Sequence, residues 1–192
     1  MILMKDIILE DNPILHQEAK NVEVPLSQED RNTLVEMLGY LINSQNNEKA
    51  LELGLRPGVG LAAPQIGISK KMFTILTNDL EGKLWVLAVV NPKIVNASKE
   101  MIYLPGGEGC LSVDRETTGI TPRHKYITVE AYFYNPNKGI LEHKKLTLRD
   151  YVAIVFQHEY DHLFGTLYVD KLLTNGEAKN SGIKPLWNVE QN

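Results

Sequence analysis

The first helical periodicity in the chain follows Ser27, a residue type that caps helix N-termini, with acidic residues at Glu29 and Asp30. The apolar positions that follow fall on one face at helical spacing; they are Leu34, Met37, Leu38, Leu41 and Ile42. A polar stretch at 43–47 interrupts this pattern, and residues 48–53 then predict a short helical turn that Gly54 ends. The first third of the chain is therefore predicted to hold one amphipathic helix and a short second one.

The middle of the chain changes to β-type patterning. Residues 72–76, 84–90 and 93–95 are rich in strand-forming residues and are separated by turn-forming ones. From Ile127 to Tyr134, inward-facing apolar residues alternate with outward-facing ones, which is typical of a strand with one buried face. The turn sequence at 135–139 then predicts a hairpin whose second strand covers residues 140–148.

A second long helix is predicted from Arg149 to Leu163. It is apolar on nearly all sides over residues 151–156, so we expect it to be buried. The tail from Thr174 to Asn192 shows no clear helix signal. Together the elements predict an α+β fold in which antiparallel β-sheets pack around one buried central helix. Without repeats or a linker, residues 1–192 are predicted to form a single domain.

Composition and charge narrow the function classes. A formal net charge of −4 gives no sign of nucleic-acid binding, which favours a basic surface. No apolar run reaches the length of a membrane span, and the N-terminus lacks a signal-peptide pattern. The chain has one cysteine, Cys110, which cannot form an intramolecular disulfide. We therefore expect a cytoplasmic protein without a membrane or nucleic-acid partner.

The predicted buried helix carries the motif His158-Glu159-Tyr160-Asp161-His162, which reads His-Glu-x-x-His. Histidines four residues apart share one helix face, so both imidazoles can contact one metal ion. Glu159 is rotated by about 100° from His158, which places its carboxylate beside the metal where it can take a proton from water. The alternative to a metal site is that these residues are simply a charged stretch at the end of a helix. The helix is expected to be buried, however, and burying two histidines and a carboxylate without a partner would be costly.

The motif supplies two imidazoles, one ligand fewer than a catalytic site with three protein ligands and an open position. Cys110 is the only thiol and lies in Glu108-Gly109-Cys110-Leu111-Ser112, where small residues allow a close approach to a metal. A lone free cysteine is otherwise most often a small core residue. We predict that Cys110 is the third ligand and that the protein is a metal-dependent hydrolase.

A third unusual segment covers residues 58–67 and reads Gly-Val-Gly-Leu-Ala-Ala-Pro-Gln-Ile-Gly. It lacks the lysine and Ser/Thr of a phosphate-binding loop, and its small residues could form only a tight turn packed in the core. Gln65 is nevertheless polar in an otherwise apolar stretch. If Gln65 faces the metal, its amide can donate a hydrogen bond to a developing oxyanion.

Two other functions fit parts of this pattern. A His-Glu-x-x-His metallopeptidase usually takes a third His or Glu ligand downstream, where this chain has no histidine but does have Asp170 and Glu177. A structural metal domain would normally use four protein ligands, and the chain has no second cysteine.

The segments 58–67, 108–112 and 157–162 resemble the three signature motifs of peptide deformylases, in family order. The resemblance extends over residues 1–170, and the additions at 45–57 and 114–123 resemble the type 2 branch of Gram-positive bacteria. It implies an enzyme that removes the formyl group from the N-terminal formylmethionine of new proteins and releases formate. It also implies one divalent ion, Fe²⁺, replaceable by Zn²⁺, Ni²⁺ or Co²⁺. The implied partners are nascent N-formylmethionyl polypeptides and the ribosome, and the expected state is a monomer.

The resemblance also implies roles for individual residues. Cys110, His158 and His162 would hold the metal, and Glu159 would act as general acid and base. The side chain of Gln65 and the backbone N–H of Leu111 would form the oxyanion site.

Substrate contacts are expected from a further group of residues. Gly109, next to Cys110, would form a tight floor that excludes larger acyl groups, and Ile154, Val155 and Leu61 would line a methionine pocket. The peptide would pair as an added strand along Val59 and Gly60. Glu108 and Arg123 form either a supporting ion pair near the site or two solvated surface charges.

Overall fold

The structure is a computed structural model that describes residues 1–187. Its helices are α1 (Gln28–Ser44), α2 (Asn47–Leu53), α3 (Asp150–His162) and α4 (Asn175–Asn180). Its strands are β1 (Gly60–Ala62), β2 (Met72–Asn78), β3 (Leu84–Ala97), β4 (Met101–Tyr103), β5 (Arg123–His124), β6 (Tyr126–Asn135), β7 (Ile140–Arg149) and β8 (Lys184–Pro185). Short 3-10 helices lie at Met4–Asp6, Pro13–His16, Ala63–Ile66 and Tyr168–Lys171.

Helix α1 begins where the sequence predicts. The hydroxyl of Ser27 accepts a hydrogen bond from the backbone N–H of Asp30 at 3.1 Å, which satisfies one of the free N–H groups at the helix start. The predicted apolar face is buried except for Ile42, which is 57% exposed, so its assignment to that face is wrong. Helix α2 ends at Gly54, whose φ of 62° is a left-handed conformation that glycine adopts at low cost.

A five-stranded antiparallel sheet in the order β1-β2-β3-β6-β7 separates α1 from α3. Strand β2 is buried on both faces: Met72 and Leu76 belong to the cluster that contains the α1 residues, whereas Phe73 and Ile75 pack with α3. Side chains alternate across a strand, so one short strand contributes to two cores. The sheet therefore fixes the position of α3 relative to the segment around β1.

Strand β3 joins the two segments that the sequence pattern separates at 91–92. Asn91 has a φ of 49°, and the pairing with β6 shifts register between Val90 and Lys93, as at a β-bulge. The side chain of Asn91 holds this bulge by exchanging hydrogen bonds with the backbone of Val22, both at 2.8 Å. Pro92 is tolerated because a bulge does not need its missing N–H. The β6-β7 hairpin matches its prediction, with the inward-facing residues of β6 buried.

Helix α3 lies between the two sheets. Its apolar residues pack against the five-stranded sheet, and the side-chain amide of Gln157 exchanges two hydrogen bonds of 2.9 Å with the backbone of His124 in β5. Strand β5 belongs to a three-stranded sheet in the order β5-β4-β8, in which β4 and β8 are parallel. The predicted α+β fold around a buried helix is confirmed, with this one parallel pair added.

The tail contains a short helix, α4, for which the sequence shows no clear signal. Helix α4 begins with a reciprocal cap: Thr174 accepts from the N–H of Glu177 at 3.2 Å, and the Glu177 carboxylate accepts from the N–H of Thr174 at 2.7 Å. The helix has six residues and buries only Ala178, so it is too short to produce an apolar period. Residues 188–192 lie outside the described part, and a single domain over 1–192 stays a prediction.

Candidate metal centre

Helix α3 places the motif histidines side by side at its C-terminal end. The rings of His158 and His162 are 5.0 Å apart between centroids and meet edge to face at 80°. His162 is buried and His158 nearly so, because the preceding turns of α3 are held inside the core. The side chain of Glu159, 3% exposed, extends from the same turn.

Cys110 reaches this pair of imidazoles from a loop distant in sequence. Its Sγ lies 3.4 Å from Nε2 of His162, and one donor atom each from Cys110, His158 and His162 lie within 4.8 Å of one another. One sulfur and two imidazole nitrogens form a donor set that suits zinc, ferrous iron and similar ions. The sequence prediction that the thiol converges with the histidines matches this geometry.

One unpaired buried polar atom also fits a ligand at this position. Within the described residues, three buried side-chain polar atoms have no hydrogen-bond partner: Glu159 Oε2, His162 Nδ1 and Thr74 Oγ1. Nδ1 of His162 points away from the thiol, because Nε2 is the nitrogen next to Cys110 Sγ. Since buried polar groups are normally paired, the unpaired oxygen of Glu159 fits a site that a ligand completes.

A buried ion-pair network supports His158 from behind. Nδ1 of His158 lies 2.8 Å from the carboxylate of Glu108, which leaves Nε2 for a metal. The same carboxylate accepts two hydrogen bonds from Arg123, at 2.7 and 2.8 Å, and both residues are less than 5% exposed. Arg123 also pairs with Asp161, whose carboxylate accepts from Lys171 at 2.6 Å. The Glu108–Arg123 pair is thus present at the site rather than on the surface.

The electrostatics of the site favour a thiolate on Cys110 and a charged carboxylate on Glu108. Burial lowers the pKa of His158, but hydrogen bonds with Cys110 and Glu108 raise it well above its usual value, so a metal must displace a proton from this ring. Burial raises the pKa of the Cys110 thiol, but the positive potential of His162 and His158 outweighs it and holds the pKa well below its usual value. The thiolate is the form that binds metals. Burial also raises the pKa of Glu108, yet hydrogen bonds from Arg123 and His158 lower it to about 2, so this carboxylate is charged at neutral pH.

Glu159 is suited to move a proton. Burial raises its pKa to about 7, with His158 and His162 acting in the opposite direction. A carboxyl group that titrates near neutrality can both accept and release a proton at working pH. Its position depends on Gly60 of β1: an added Cβ there would lie 2.2 Å from Oε1 of Glu159. The absence of a side chain at Gly60 therefore makes room for this carboxylate.

Gln65 is oriented toward the thiol by its own backbone segment. Its Oε1 accepts from the N–H of Ala62 at 2.9 Å, which directs Nε2 toward Cys110 Sγ at 3.4 Å and Ser112 Oγ at 3.2 Å. The amide donor thus lies at the metal-binding cluster, where a developing negative charge could use it. Leu111 follows Cys110 and lines the same cavity.

A cavity of about 290 Å³ opens beside these groups and brings most of the expected substrate residues together. Its lining includes Val59, Gly60, Gly109, Ile154 and Val155. Leu61 does not line it. This residue is fully buried in the core on the α1 side, because it alternates with Gly60 and Ala62 along β1 and so faces the other way.

The sequence pattern did not single out several residues of this cavity. Arg56, Leu104 and Tyr151 line it as well. Arg56 donates to the backbone carbonyls of Cys110 and Leu111 at 3.4 Å each, which supports the cysteine loop. An arginine just before a glycine-rich segment gives no distinctive signal, and its contacts exist only after the chain folds.

Comparison with known proteins identifies the family. The family model described as polypeptide deformylase matches residues 4–178 of this chain. The chain belongs to the peptide deformylase family. Members of this family remove the N-formyl group from nascent peptides, and the comparisons support that activity for this member.

Individual relatives agree over nearly the whole chain. The peptide deformylase of Halalkalibacterium halodurans is 55% identical, over 90% of this chain and 92% of that protein. Peptide deformylase 2 of Bacillus anthracis is 51% identical, over 97% of this chain and 99% of that protein. These relatives support a deformylase of the Gram-positive type, as the motifs and additions predict.

Solved structures share the fold. Peptide deformylase from Thermotoga maritima superimposes with a TM-score of 0.64 at 33% identity, over 87% of this chain and 96% of that one. A class I type b peptide deformylase from Acinetobacter baumannii gives a TM-score of 0.67 at 27% identity, over 88% and 99% of the two chains. Within the described residues of this deformylase, none of the helices has the length and hydrophobicity needed to cross a membrane.

The carboxylates that a metallopeptidase would use as ligands are engaged elsewhere. Asp170 accepts from the backbone N–H of Leu167 at 2.8 Å, and the Glu177 carboxylate accepts from the backbone N–H and the hydroxyl of Thr174 at 2.7 and 2.8 Å. In the described part of the chain, the group of metal-binding side chains consists of Cys110, His158 and His162.

Proposed function

We propose that Cys110, His158 and His162 hold one divalent metal ion and that Glu159 moves the proton as the formyl group of an N-terminal formylmethionine is hydrolysed. The observation that supports this assignment is the convergence of the three donor atoms within 4.8 Å, with the carboxyl group of Glu159 beside them. When bound, such an ion supplies Lewis-acid activation of the carbonyl group and of water.

The protein's own groups would share the remaining chemistry. Glu159 would accept a proton from the attacking water and deliver it to the departing amine, leaving formate and a free N-terminus. The amide of Gln65 and the backbone N–H of Leu111 would donate to the oxygen on which negative charge develops. One such donor is typically worth about 3 kcal/mol of transition-state stabilisation.

Substrate recognition would combine a side-chain pocket with backbone pairing. Ile154, Val155 and Val59 give the cavity an apolar wall for the methionine side chain. Strand β1 is at the edge of the five-stranded sheet, so a peptide can add beside Val59 and Gly60 as a further strand. Gly109 beside Cys110 would form the floor that accepts a formyl hydrogen and excludes an acetyl methyl group.

The proposal also covers the identity of the metal ion, the cellular location, the oligomeric state and contact with the ribosome. Family resemblance favours Fe²⁺, with Zn²⁺, Ni²⁺ or Co²⁺ as replacements, and elemental analysis after anaerobic purification would identify it. Because the substrate is the N-terminus of a nascent chain, the enzyme would act in the cytoplasm on chains leaving the ribosome, and we expect it to be a monomer. Sedimentation of the purified protein, alone and with ribosomes, would test the monomeric state and the ribosome contact.

Formate release is the direct test of the activity. The anaerobically purified protein, loaded with Fe²⁺, Ni²⁺ or Co²⁺, should release formate from formyl-Met-Ala-Ser and leave internal peptide bonds intact. Cleavage of internal bonds without formate release would show that the protein is a metallopeptidase. If the protein catalyses neither reaction, it is a binding module and not an enzyme. In the same preparations, Cys110→Ala should lose the ion by elemental analysis; full metal content in this variant would exclude the thiol as a ligand.

A further inference from the structure

Arg56 is a charged residue in the wall of the metal-centre cavity, and the proposed mechanism gives it no role. Its guanidinium group lies against the loop that follows the metal-binding thiol. Nη2 donates to the backbone carbonyls of Cys110 and Val113 at 3.4 and 3.5 Å, and Nη1 donates to that of Leu111 at 3.4 Å. One cation therefore contacts three backbone carbonyls of a loop that lies more than 50 residues away in sequence.

The backbone of Arg56 is fixed from the core of the protein. Tyr40 of helix α1 is fully buried, and its hydroxyl donates to the carbonyl of Arg56 at 2.9 Å. The guanidinium group also pairs with Asp114 at 3.1 Å, but both side chains are largely exposed, and such pairs contribute little to stability. The anchor on Tyr40 therefore directs the arginine toward the loop.

The carbonyl of Cys110 and the N–H of Leu111 belong to one planar peptide unit. This peptide bond is trans, so the two groups point in opposite directions, and a donor bound to the carbonyl fixes the direction of the N–H. The carbonyl accepts from the N–H of Val113 at 3.2 Å as well as from Arg56. Hydrogen bonds in series polarise one another by roughly 10–30% per bond, and those from a charged group are stronger than neutral ones.

We propose that Arg56 is a positioning residue for the oxyanion donor: it orients and polarises the peptide unit between Cys110 and Leu111. The N–H of Leu111 then donates more strongly to the oxygen on which negative charge develops. This inference rests on the proposed function and deepens it. The other donor, the amide of Gln65, is oriented in the same manner by the N–H of Ala62.

The kinetic test replaces Arg56 with methionine, which keeps an unbranched side chain and removes the charge and the donors. The substrate is formyl-Met-Ala-Ser amide, which has no carboxylate for an arginine to bind. In Arg56→Met, kcat should fall by about 10-fold, part of the 10²- to 10³-fold that one complete donor contributes. KM should stay within about twofold, since the interaction strengthens only in the transition state. Arg56→Lys keeps a positive charge beside the carbonyls and should recover part of the lost kcat.

NMR tests the peptide unit without turnover. In the Zn²⁺-loaded protein, the backbone ¹⁵N resonance of Leu111 should shift in Arg56→Met, because hydrogen bonding to the preceding carbonyl changes the electron density at this nitrogen. Arg115→Met is the matched control: it removes the same charge from a residue just beyond the loop, where Arg115 pairs with Glu10 at 2.8 Å outside the cavity lining. This variant should keep the wild-type kcat and the wild-type Leu111 resonance.

Several results would overturn the proposal. One is an unchanged kcat or an unmoved Leu111 resonance in Arg56→Met, and another is an Arg56→Lys variant as slow as Arg56→Met. A raised KM at normal kcat would make Arg56 a substrate-binding residue instead. Loss of Zn²⁺ from Arg56→Met by elemental analysis would make it a support for the ligand Cys110. If the wild type releases no formate, the proposed function fails, whereas the Leu111 resonance still reports whether Arg56 polarises the peptide unit.

Discussion

Replacing Gly60 with alanine should displace the carboxyl group of Glu159 and leave the fold intact. An added Cβ would lie 2.2 Å from Oε1, 2.5 Å from Cδ and 2.7 Å from Cγ of Glu159. These atoms form the flexible end of a side chain, so Glu159 can move while β1 stays paired with β2. The perturbation therefore acts on the proposed proton carrier without changing its chemical identity.

The size of the effect follows from the overlap. Non-bonded carbon atoms prefer separations of about 3.5–4.0 Å, so the carboxyl group must retreat by roughly 1 Å. A displacement of about 1 Å in a reacting group can cost on the order of 100-fold in rate. This corresponds to about 2.7 kcal/mol in activation free energy. The upper limit is the whole contribution of a general acid and base, about 10²- to 10⁴-fold.

Formate release and metal content together test this reasoning. Gly60→Ala should keep its metal by elemental analysis, because Cys110, His158 and His162 are not the atoms that clash, and its kcat should fall by about 100-fold. Gly39→Ala is the control: a Cβ there meets nothing within 4 Å, and alanine should stabilise helix α1 by about 0.5–1 kcal/mol. A Gly60→Ala enzyme with near-normal kcat would refute the positioning argument.

Three further outcomes are expected. Glu159→Ala should retain the metal but lose about 10²- to 10⁴-fold in formate release, and near-normal turnover would remove Glu159 from the mechanism. Glu108→Gln weakens the support of His158 and should lower metal affinity by about 10- to 100-fold in a chelator competition; an unchanged Kd would contradict this role. Protons compete for the three donor side chains, so equilibrium dialysis should show metal affinity falling as the pH is lowered. An affinity independent of pH would exclude thiolate and imidazole ligands.

Local patterns predicted the elements with strong periodicity. Helix α1 carries apolar residues at helical spacing, β6 alternates apolar and outward-facing residues, and α3 has a continuous apolar stretch. All three form near the expected positions. Helix α4 was not predicted because six residues are too few to show a helical period. Its capping residues, Thr174 and Glu177, do have the spacing of a capping box. The bulge at Asn91 also hid the continuity of β3, since its stabilising contacts come from the distant residue Val22.

The chemistry of the site was determined largely by residue types and spacing. Two histidines four apart on a helix must share a face, and one thiol was available to complete the set. Family motifs then named Gln65 and Leu111, and the structure brings both to the same cavity.

Tertiary structure alone decided how these groups are supported and what surrounds them. The room that Gly60 leaves for Glu159, the carboxylate of Glu108 behind His158 and the contact of Arg56 with the cysteine loop all depend on segments far apart in sequence. Leu61 faces the core rather than the cavity because strand geometry, and not hydrophobicity, decides which side a residue points to. Sequence spacing specifies neighbours within one element, whereas distances between elements arise only when the core packs.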